Sequence, residues 1–280
     1  MEMISQFLAS QVMQESLAPA LLIAVVASSM SVMVMAHRLS FLTVGVSHAS
    51  LAGLGLAVTL SLPLLPTATV FALLITFLLA SMPKRQGITE DAGTGMLFAG
   101  SMALGVVLIS TASRYEIDLF GLLFGNILTI SDTEMEWLLL VAAIIIISML
   151  FLARAWWSIA FDPITAAASG LPVATMRLIL YGATGLTVIM CVKLAGIVLT
   201  TGLLVLPAAC AWFWGRSLAG LWLLSVIFSV AGTFAGLIIS YHKDWPSGAT
   251  IVLALCTIFI LSWGGAWLKR RARKHKPQES

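Results

Sequence analysis

Long apolar runs separated by short polar or Pro/Gly-containing breaks recur from end to end of this 280-residue chain. Each is about 20 residues long, the length of helix that crosses a hydrocarbon layer ~30 Å thick. They predict membrane spans near 17–36, 40–61, 63–82, 93–112, 136–153, 175–193, 196–214, 217–240 and 249–268, an all-α bundle of eight to ten spans with nine the best count. No stretch is long and polar enough to fold as a separate soluble domain. The chain therefore reads as one unit, membrane-embedded over about 17–268, with a polar tail at 269–280. The second and seventh runs, "GVSHASLAGLGLA" and "GIVLTTGLLVLPAACA", are rich in small residues, which suits close helix-to-helix packing better than lipid contact. Pro207 is expected to kink or break the seventh span.

Composition supports the membrane reading: 60% of residues are hydrophobic, 10% are charged, and the mean hydropathy is +1.05. The first run, "SLAPALLIAVVASSMSVMVMA", follows a stretch with Glu2 and Glu15 and no Lys or Arg. It lacks the basic n-region of a cleavable signal peptide and is expected to be a retained span. Cys191, Cys210 and Cys256 lie inside apolar runs at separations that match no zinc knuckle or redox pair, as expected of core packing residues.

Charge sets the expected orientation. If the chain starts outside, Arg38, Lys84, Arg85, Arg154, Arg177, Arg216 and the tail "KRRARKHK" all face the cytoplasm, leaving Arg114 and Lys243 outside and Lys193 near the outer end of a span. That is the positive-inside pattern, and it places the C-terminus in the cytoplasm. The basic tail reads as a topogenic segment lying near anionic lipid rather than a nucleic-acid site.

Two connections carry structure of their own. The outer one, "SRYEIDLFGLLFGNILTISDTEME" (113–136), alternates apolar blocks with Asp118 and Asp132, as expected of a half-buried or re-entrant segment lining a vestibule. The inner one, "RAWWSIAFDPITAAASGLPVATMR" (154–177), has Asp162 and Pro163 as a helix start and a short Ala-rich turn stopped by Gly170 and Pro172. A short helix on the cytoplasmic face is a natural docking element for a soluble partner.

No HExxH, nucleotide-binding Gly-Lys loop, paired intramembrane carboxylates or nucleophile beside a base occurs, so the chain is not expected to be an enzyme. An ion-coupled carrier would bury carboxylates near mid-membrane, whereas the acidic residues here fall at span ends or in loops. Energy is expected from elsewhere.

Six blocks in order, "LSFLTVGVSHASLAG", "TEDAGTGMLFAGSMALGVVLIS", "LFGNIL", "FDPITAAASGLPV", "LAGIVLTTGLLVLPAACA" and "YHKDWPSGATIVL", resemble the integral-membrane permease of the manganese/zinc-type ABC importers, from about residue 20 to about 265. The resemblance implies a type II importer permease that takes up a zinc-, manganese- or iron-class divalent ion by ATP-driven alternating access. It would work as a permease homodimer in the bacterial inner membrane, with two cytoplasmic ATPase subunits and an external solute-binding protein. The metal is then transported substrate, with no permanently bound cofactor. On the same resemblance "FDPITAAASGLPV" is the coupling helix seated in the ATPase, with Asp162, Pro163, Gly170, Leu171 and Pro172 shaping it. Gly45, Gly53 and Gly55 would let helices slide or tilt at a packed dimer interface. The alternatives are a permease for a metal chelate such as a siderophore or corrinoid, and a standalone secondary carrier.

His48 lies eight residues into the second span, about 12 Å along a helix rising ~1.5 Å per residue. A buried imidazole needs a partner, and Ser47, Ser50, Thr200 or Thr201 are within the reach of such packing. Two roles fit: hydrogen-bonded glue between helices, or a borderline metal ligand in a path. The resemblance points to the second, because the family carries a histidine in its "SHA" block. It also usually carries an aspartate four residues earlier, where this chain has Val44, and a proline after the block, where this chain has Ala52. The soft side chains Met30, Met33, Met35, Cys191 and Cys210 are expected mainly to pack. His242 and Asp244, in the outer loop "YHKDWPSG", read either as a polar turn or as an entrance ligand pair. His37 and His275 are expected to be ordinary interfacial or solvated histidines.

Overall fold

The computed structural model describes residues 11–82, 89–111, 124–125 and 131–274, and the elements in them are all helices. In order they are α1 (Gln11–Ala36), α2 (Ser40–Thr59), α3 (Leu64–Ser81), α4 (Glu90–Thr111), α5 (Asp132–Phe161), α6 (Pro163–Ala168), α7 (Val173–Trp212), α8 (Leu218–Lys243) and α9 (Ser247–Lys274). Eight of them, all but α6, are long and apolar enough to cross a membrane. The segment expected to line a vestibule, 113–136, lies outside the described residues except for 124–125 and from 131 onward.

Helix α7 has 40 residues and leaves helical geometry at Gly196, where φ is 77° and ψ is 170°. Contacts along it show that the chain doubles back there. The indole of Trp156 donates to the carbonyl of Met176 at 2.9 Å, and the ring of His37 donates to the carbonyl of Trp156 at 2.9 Å. The amide of Ala208 donates to Ser31, six residues before His37, at 3.2 Å. A straight helix would hold Met176 and Ala208 about 48 Å apart at ~1.5 Å per residue, too far for both ends to reach the same end of α1. Residues 173–195 therefore run one way and 197–212 return, so the described residues make nine passes. The sequence boundary between the spans 175–193 and 196–214 falls at this reversal.

The reversal is closed by glycines from three separate blocks. A Cβ on Gly125 would stand 2.4 Å from the carbonyl oxygen of Leu194, and one on Gly248 would stand 2.8 Å from the Cα of Ala195. Neither position has room for a side chain, and only glycine adopts the backbone of Gly196 without strain. Beside it, Ser131 and Glu134 form a capping box at the start of α5, and the other Glu134 oxygen takes the ammonium of Lys193 at 2.7 Å. One carboxylate thus starts α5 and pins the first arm of α7.

Pro207 does not break the second arm: the backbone stays helical through it to Trp212. A proline takes away one helix bond, and here the neighbouring amide of Ala208 finds Ser31 on α1 instead. Hydroxyls tie α8 to α1 in the same way, Ser225 to the carbonyl of Ser28 and Ser229 to that of Ala24, both at 3.0 Å. Inside an apolar layer such bonds and close van der Waals contact hold helices together, since lipid tails compete for apolar surface as well as leucine does.

The nine passes sort the charges. Arg38, Arg154, Arg177, Arg216 and Lys269–Arg271 gather at one end of the bundle, called here the basic end, while Glu134, Lys193, Lys243 and Asp244 lie at the other. The core runs along α1 and both arms of α7, with Met30, Met33, Leu194 and Cys191 fully buried. Met30, Met33, Cys191 and Cys210 are buried in packing and Met35 is partly buried against it, and all three cysteines are free.

Candidate functional site

Helix α2 is unusually small-sided, and α4 packs against it almost backbone to backbone. A Cβ on Gly105 of α4 would fall 2.8 Å from the amide of Ala52, and one on Gly55 would fall 3.1 Å from the carbonyl of Gly105. Gly45 is filled by the Thr94 methyl, and Gly53 faces Ala68 and Phe71 of α3. All three glycines singled out in the sequence therefore sit at helix contacts within the chain.

His48 lies in this seam. Its Nδ1 is 3.0 Å from the carbonyl of Val44 and 3.3 Å from the Ser47 hydroxyl. A carbonyl only accepts, so Nδ1 carries the proton and Nε2 keeps its lone pair in the neutral ring. Nε2 takes no hydrogen bond from the described residues. The edge of Phe98 on α4 packs against the ring with centroids 4.9 Å apart at 79°. Of the expected partners only Ser47 is used: Ser50 turns to the carbonyl of Ser47 and Thr200 to that of Gly196. Among the described residues no three His, Cys, Asp or Glu side chains gather closely enough to hold a metal ion. His48 presents one ring nitrogen with a lone pair, and one turn before it stands the apolar side chain of Val44.

Spacing along α4 connects this seam to the basic end. Glu90, Thr94 and Phe98 recur every four residues and share one face, about 12 Å from first to last. Thr94 fills Gly45, Phe98 meets His48, and Glu90 grips α7: its carboxylate takes Arg177 at 3.0 Å and the Tyr181 hydroxyl at 3.0 Å. Arg38, Glu90, Asp91, Thr94 and Tyr181 line a small cavity of about 30 Å³ below His48, room for about one water. The sequence reading missed Glu90, Phe98, Arg177 and Tyr181 as a group. The one local signal was Arg177 and Tyr181 four apart on a single helix face.

Arg177 is also close to α6, which projects from the basic end. The Asp162 carboxylate caps α6, accepting from the amides of Ile164 and Thr165 at 3.1 and 3.0 Å and from the Thr165 hydroxyl at 2.6 Å. These donors, the Thr165 hydroxyl first, hold the Asp162 carboxyl below its ordinary range. Pro163 occupies the first turn, where its missing N–H costs nothing. Gly170 ends the helix with φ of 88°, while Leu171 and Gly170 donate back to Ala166 and Ala167, a Schellman stop. Pro172 then precedes α7. Ile164 is left 81% exposed on this short, tightly terminated helix.

His37 is half-buried at the basic end and is not left to solvent alone: its Nε2–H donates to the Trp156 carbonyl, and burial pushes its pKa below the ordinary imidazole value against that bond. His275 lies outside the described residues. At the opposite end, His242 turns Nδ1 to the carbonyl of Ile238 at 2.9 Å and leaves a buried Nε2 without a partner. Asp244 closes α8 in the left-handed conformation, φ 52°, with its side chain exposed. The two form no hydrogen bond or ion pair with each other.

Residues 9–265 match the ABC 3 transport family. A manganese import system permease protein, ScaB, from Streptococcus parasanguinis is 30% identical, the alignment covering 94% of this chain and 93% of that protein. A manganese transport system membrane protein, MntB, from Synechocystis is 33% identical over 79% of this chain and 72% of its own length. Among solved structures, PsaBC from Streptococcus pneumoniae in complex with Fab superposes with a TM-score of 0.83 at 29% identity, covering 94% of each chain. With a family match spanning nearly its whole length and the same helical frame, this chain belongs to the ABC 3 transport family.

Proposed function

We propose that the chain is the membrane permease subunit of a binding-protein-dependent ABC importer for a divalent transition metal, with manganese the foremost substrate. The observation that carries the reading is its full-length likeness to permeases named for manganese import and transport. ATP is hydrolysed on separate cytoplasmic subunits, and the metal is handed over by an external binding protein at the end that holds Glu134, Lys193 and Asp244. Two copies of the permease form the assembly, in the bacterial inner membrane, with the basic end and the C-terminus cytoplasmic. The whole of 1–280 acts as one permease domain.

His48 is the ligand that a passing ion meets, through Nε2, between α2 and α4. Imidazole is a borderline base that suits Fe²⁺ and Zn²⁺ and holds the harder Mn²⁺ more loosely. A single neutral ligand binds weakly and lets go readily, which suits a path more than a store. His242 and Asp244 form the entrance.

Helix α6, from Asp162 to Pro172, is the seat of the ATPase. Its exposed Ile164 and tight caps let it move as a unit with the start of α7. Arg177, one turn into α7, passes that movement to Glu90, and α4 carries it through Thr94 to Gly45 and through Phe98 to His48. The seams at Gly45, Gly53 and Gly55 allow α2 to shift with little steric resistance.

The test is uptake by the reconstituted permease, ATPase and binding protein, comparing Mn²⁺, Zn²⁺, Fe²⁺ and Co²⁺. The reading expects ATP-dependent uptake of one or two of these ions and at least a tenfold loss in His48→Ala with the complex intact. Uptake of none of them, or only of a chelate, overturns it.

A further inference from the structure

We propose that the basic end of the chain holds a specific site for the phosphate of an anionic phospholipid, built from Arg216, Lys269 and Arg270 around Trp214. The site does not depend on the transport reading. The link between α7 and α8 and the last turns of α9 border an open cavity of about 280 Å³ whose lining includes all four of these residues and, among the described residues, no carboxylate.

The wall of this cavity is fixed. The Trp214 indole N–H donates to the Ser262 hydroxyl at 2.7 Å, and Ser262 donates in turn to the carbonyl of Cys210 at 3.2 Å. The Lys269 ammonium stands 5.2 Å from the centre of the anchored indole ring. Three basic residues therefore line one concavity whose aromatic side does not rotate away.

Among the described residues no ion pair neutralises them. From residue 163 to 243 the sequence has no Asp or Glu, and after Asp244, at the other end of the bundle, none recurs until Glu279. Like charges lining one concavity raise the energy of the fold unless an anion is supplied, and two guanidinium forks with an ammonium match the oxygens of a phosphate.

The depth of the site selects the source of that anion. Exposed Trp212, Trp263 and Trp267 ring the same end, and the Arg271 guanidinium lies 4.1 Å from the Trp267 ring centre. Such an aromatic belt marks the boundary between headgroups and acyl chains. Along α9 the apolar side chains of Leu261 and Leu268 are 69% and 61% exposed, a surface on which the acyl chains of the same molecule lie. A free phosphate would use the cations alone; a phospholipid uses the cations, the indole and this flank together.

The experiment is native mass spectrometry of the full chain released from nanodiscs of phosphatidylcholine with phosphatidylglycerol, counting each lipid retained. Wild type is expected to keep at least one more phosphatidylglycerol per chain than R216Q/K269Q/R270Q, with phosphatidylcholine retained equally. Because removing basic residues also weakens membrane orientation, Ser262→Ala is run beside it: every charge stays, Trp214 loses its anchor, and phosphatidylglycerol retention is expected to fall severalfold. Added inorganic phosphate is expected to displace nothing. Equal retention in all three proteins overturns the proposal, as does displacement by inorganic phosphate, which would make this a site for a soluble anion. It is also overturned if phosphatidylglycerol retention is equal while a partner ATPase shields Lys269 from amine labelling.

Discussion

The Glu90 carboxylate bridges Arg177 and Tyr181, so the first turn of α4 is fastened to the first turns of α7, 3.0 Å from each partner. The bridge lies between the exposed helix α6 and the seam that holds His48. Its side chains are partly exposed, 24% for Arg177 and 44% for Glu90, so its contribution to stability is modest, roughly 1 kcal/mol or less. Its value under the proposed mechanism is mechanical. Glu90→Gln and Arg177→Met should each lower metal uptake severalfold while thermal stability shifts little. The double variant should be no worse than either single one, because each removes the same link. Uptake per ATP hydrolysed, measured in proteoliposomes, distinguishes this from simple loss of folding.

Val44→Asp tests the single-ligand path. It places a carboxylate one helical turn from His48, on the same face. Mn²⁺ affinity of the purified permease should rise at least tenfold, which is about 1.4 kcal/mol, and turnover should fall as release slows. Calorimetric titration with Mn²⁺ beside transport assays reads both.

Gly196→Ala should be among the most destabilising substitutions in the chain. A φ of 77° with ψ of 170° is open in practice to glycine alone, and a side chain there costs on the order of 1–3 kcal/mol. Gly125→Ala and Gly248→Ala, which thrust a Cβ against the same turn, should behave alike. Melting in detergent, followed by size-exclusion recovery, checks all three.

Asp162→Ala removes three hydrogen bonds from the start of α6, and affinity for the partner ATPase should fall severalfold. Asp162→Asn, still a good cap, should retain most of it. Because the folded-state pKa is depressed, the contribution of the cap is full above the ordinary carboxylate value and is lost as pH falls through the folded one. Assembly of wild type should therefore be flat from pH 6 to 8, a range of about two units above any carboxylate titration.

His37 should make stability fall on mild acidification. Its pKa is lowered by burial, so the unfolded chain binds a proton more readily than the folded one. Stability is full above the ordinary imidazole value of about 6.5 and declines as pH drops below it. Melting curves of wild type and His37→Gln from pH 8 to 5 check this; the variant keeps an N–H donor for the Trp156 carbonyl without titrating in that range.

Much of this was legible in the sequence because lipid imposes a single rule, that apolar residues run for the length of a span. The spans, the membrane frame and the Asp162–Pro163 start of α6 all follow from local pattern. What escaped depends on partners far away in the chain. Pro207 looked like a break because the sequence does not show Ser31 beside Ala208. Glu90 and Arg177 looked like unconnected charges at the ends of separate spans. His37 read only as an ordinary interfacial or solvated histidine because the carbonyl that holds it belongs to distant Trp156. The small residues of α2 announced a close neighbour without saying that α4 would be that neighbour, or that Phe98 would lie against His48.

The reversal at Gly196 has a further consequence for biosynthesis. The two arms of α7 share no hydrophilic loop, so an insertion machine receives one continuous 40-residue segment in which Lys193 and the turn at Gly196 mark that there are two passes. If the segment entered as a single tilted helix, α8 and α9 would each cross in the opposite sense, and the tail with Lys269, Arg270 and Arg271 would emerge at the end opposite Arg38 and Arg154. The turn at Gly196 thus sets the direction in which everything downstream crosses, and a cationic tail, which resists translocation, favours the hairpin over the single helix.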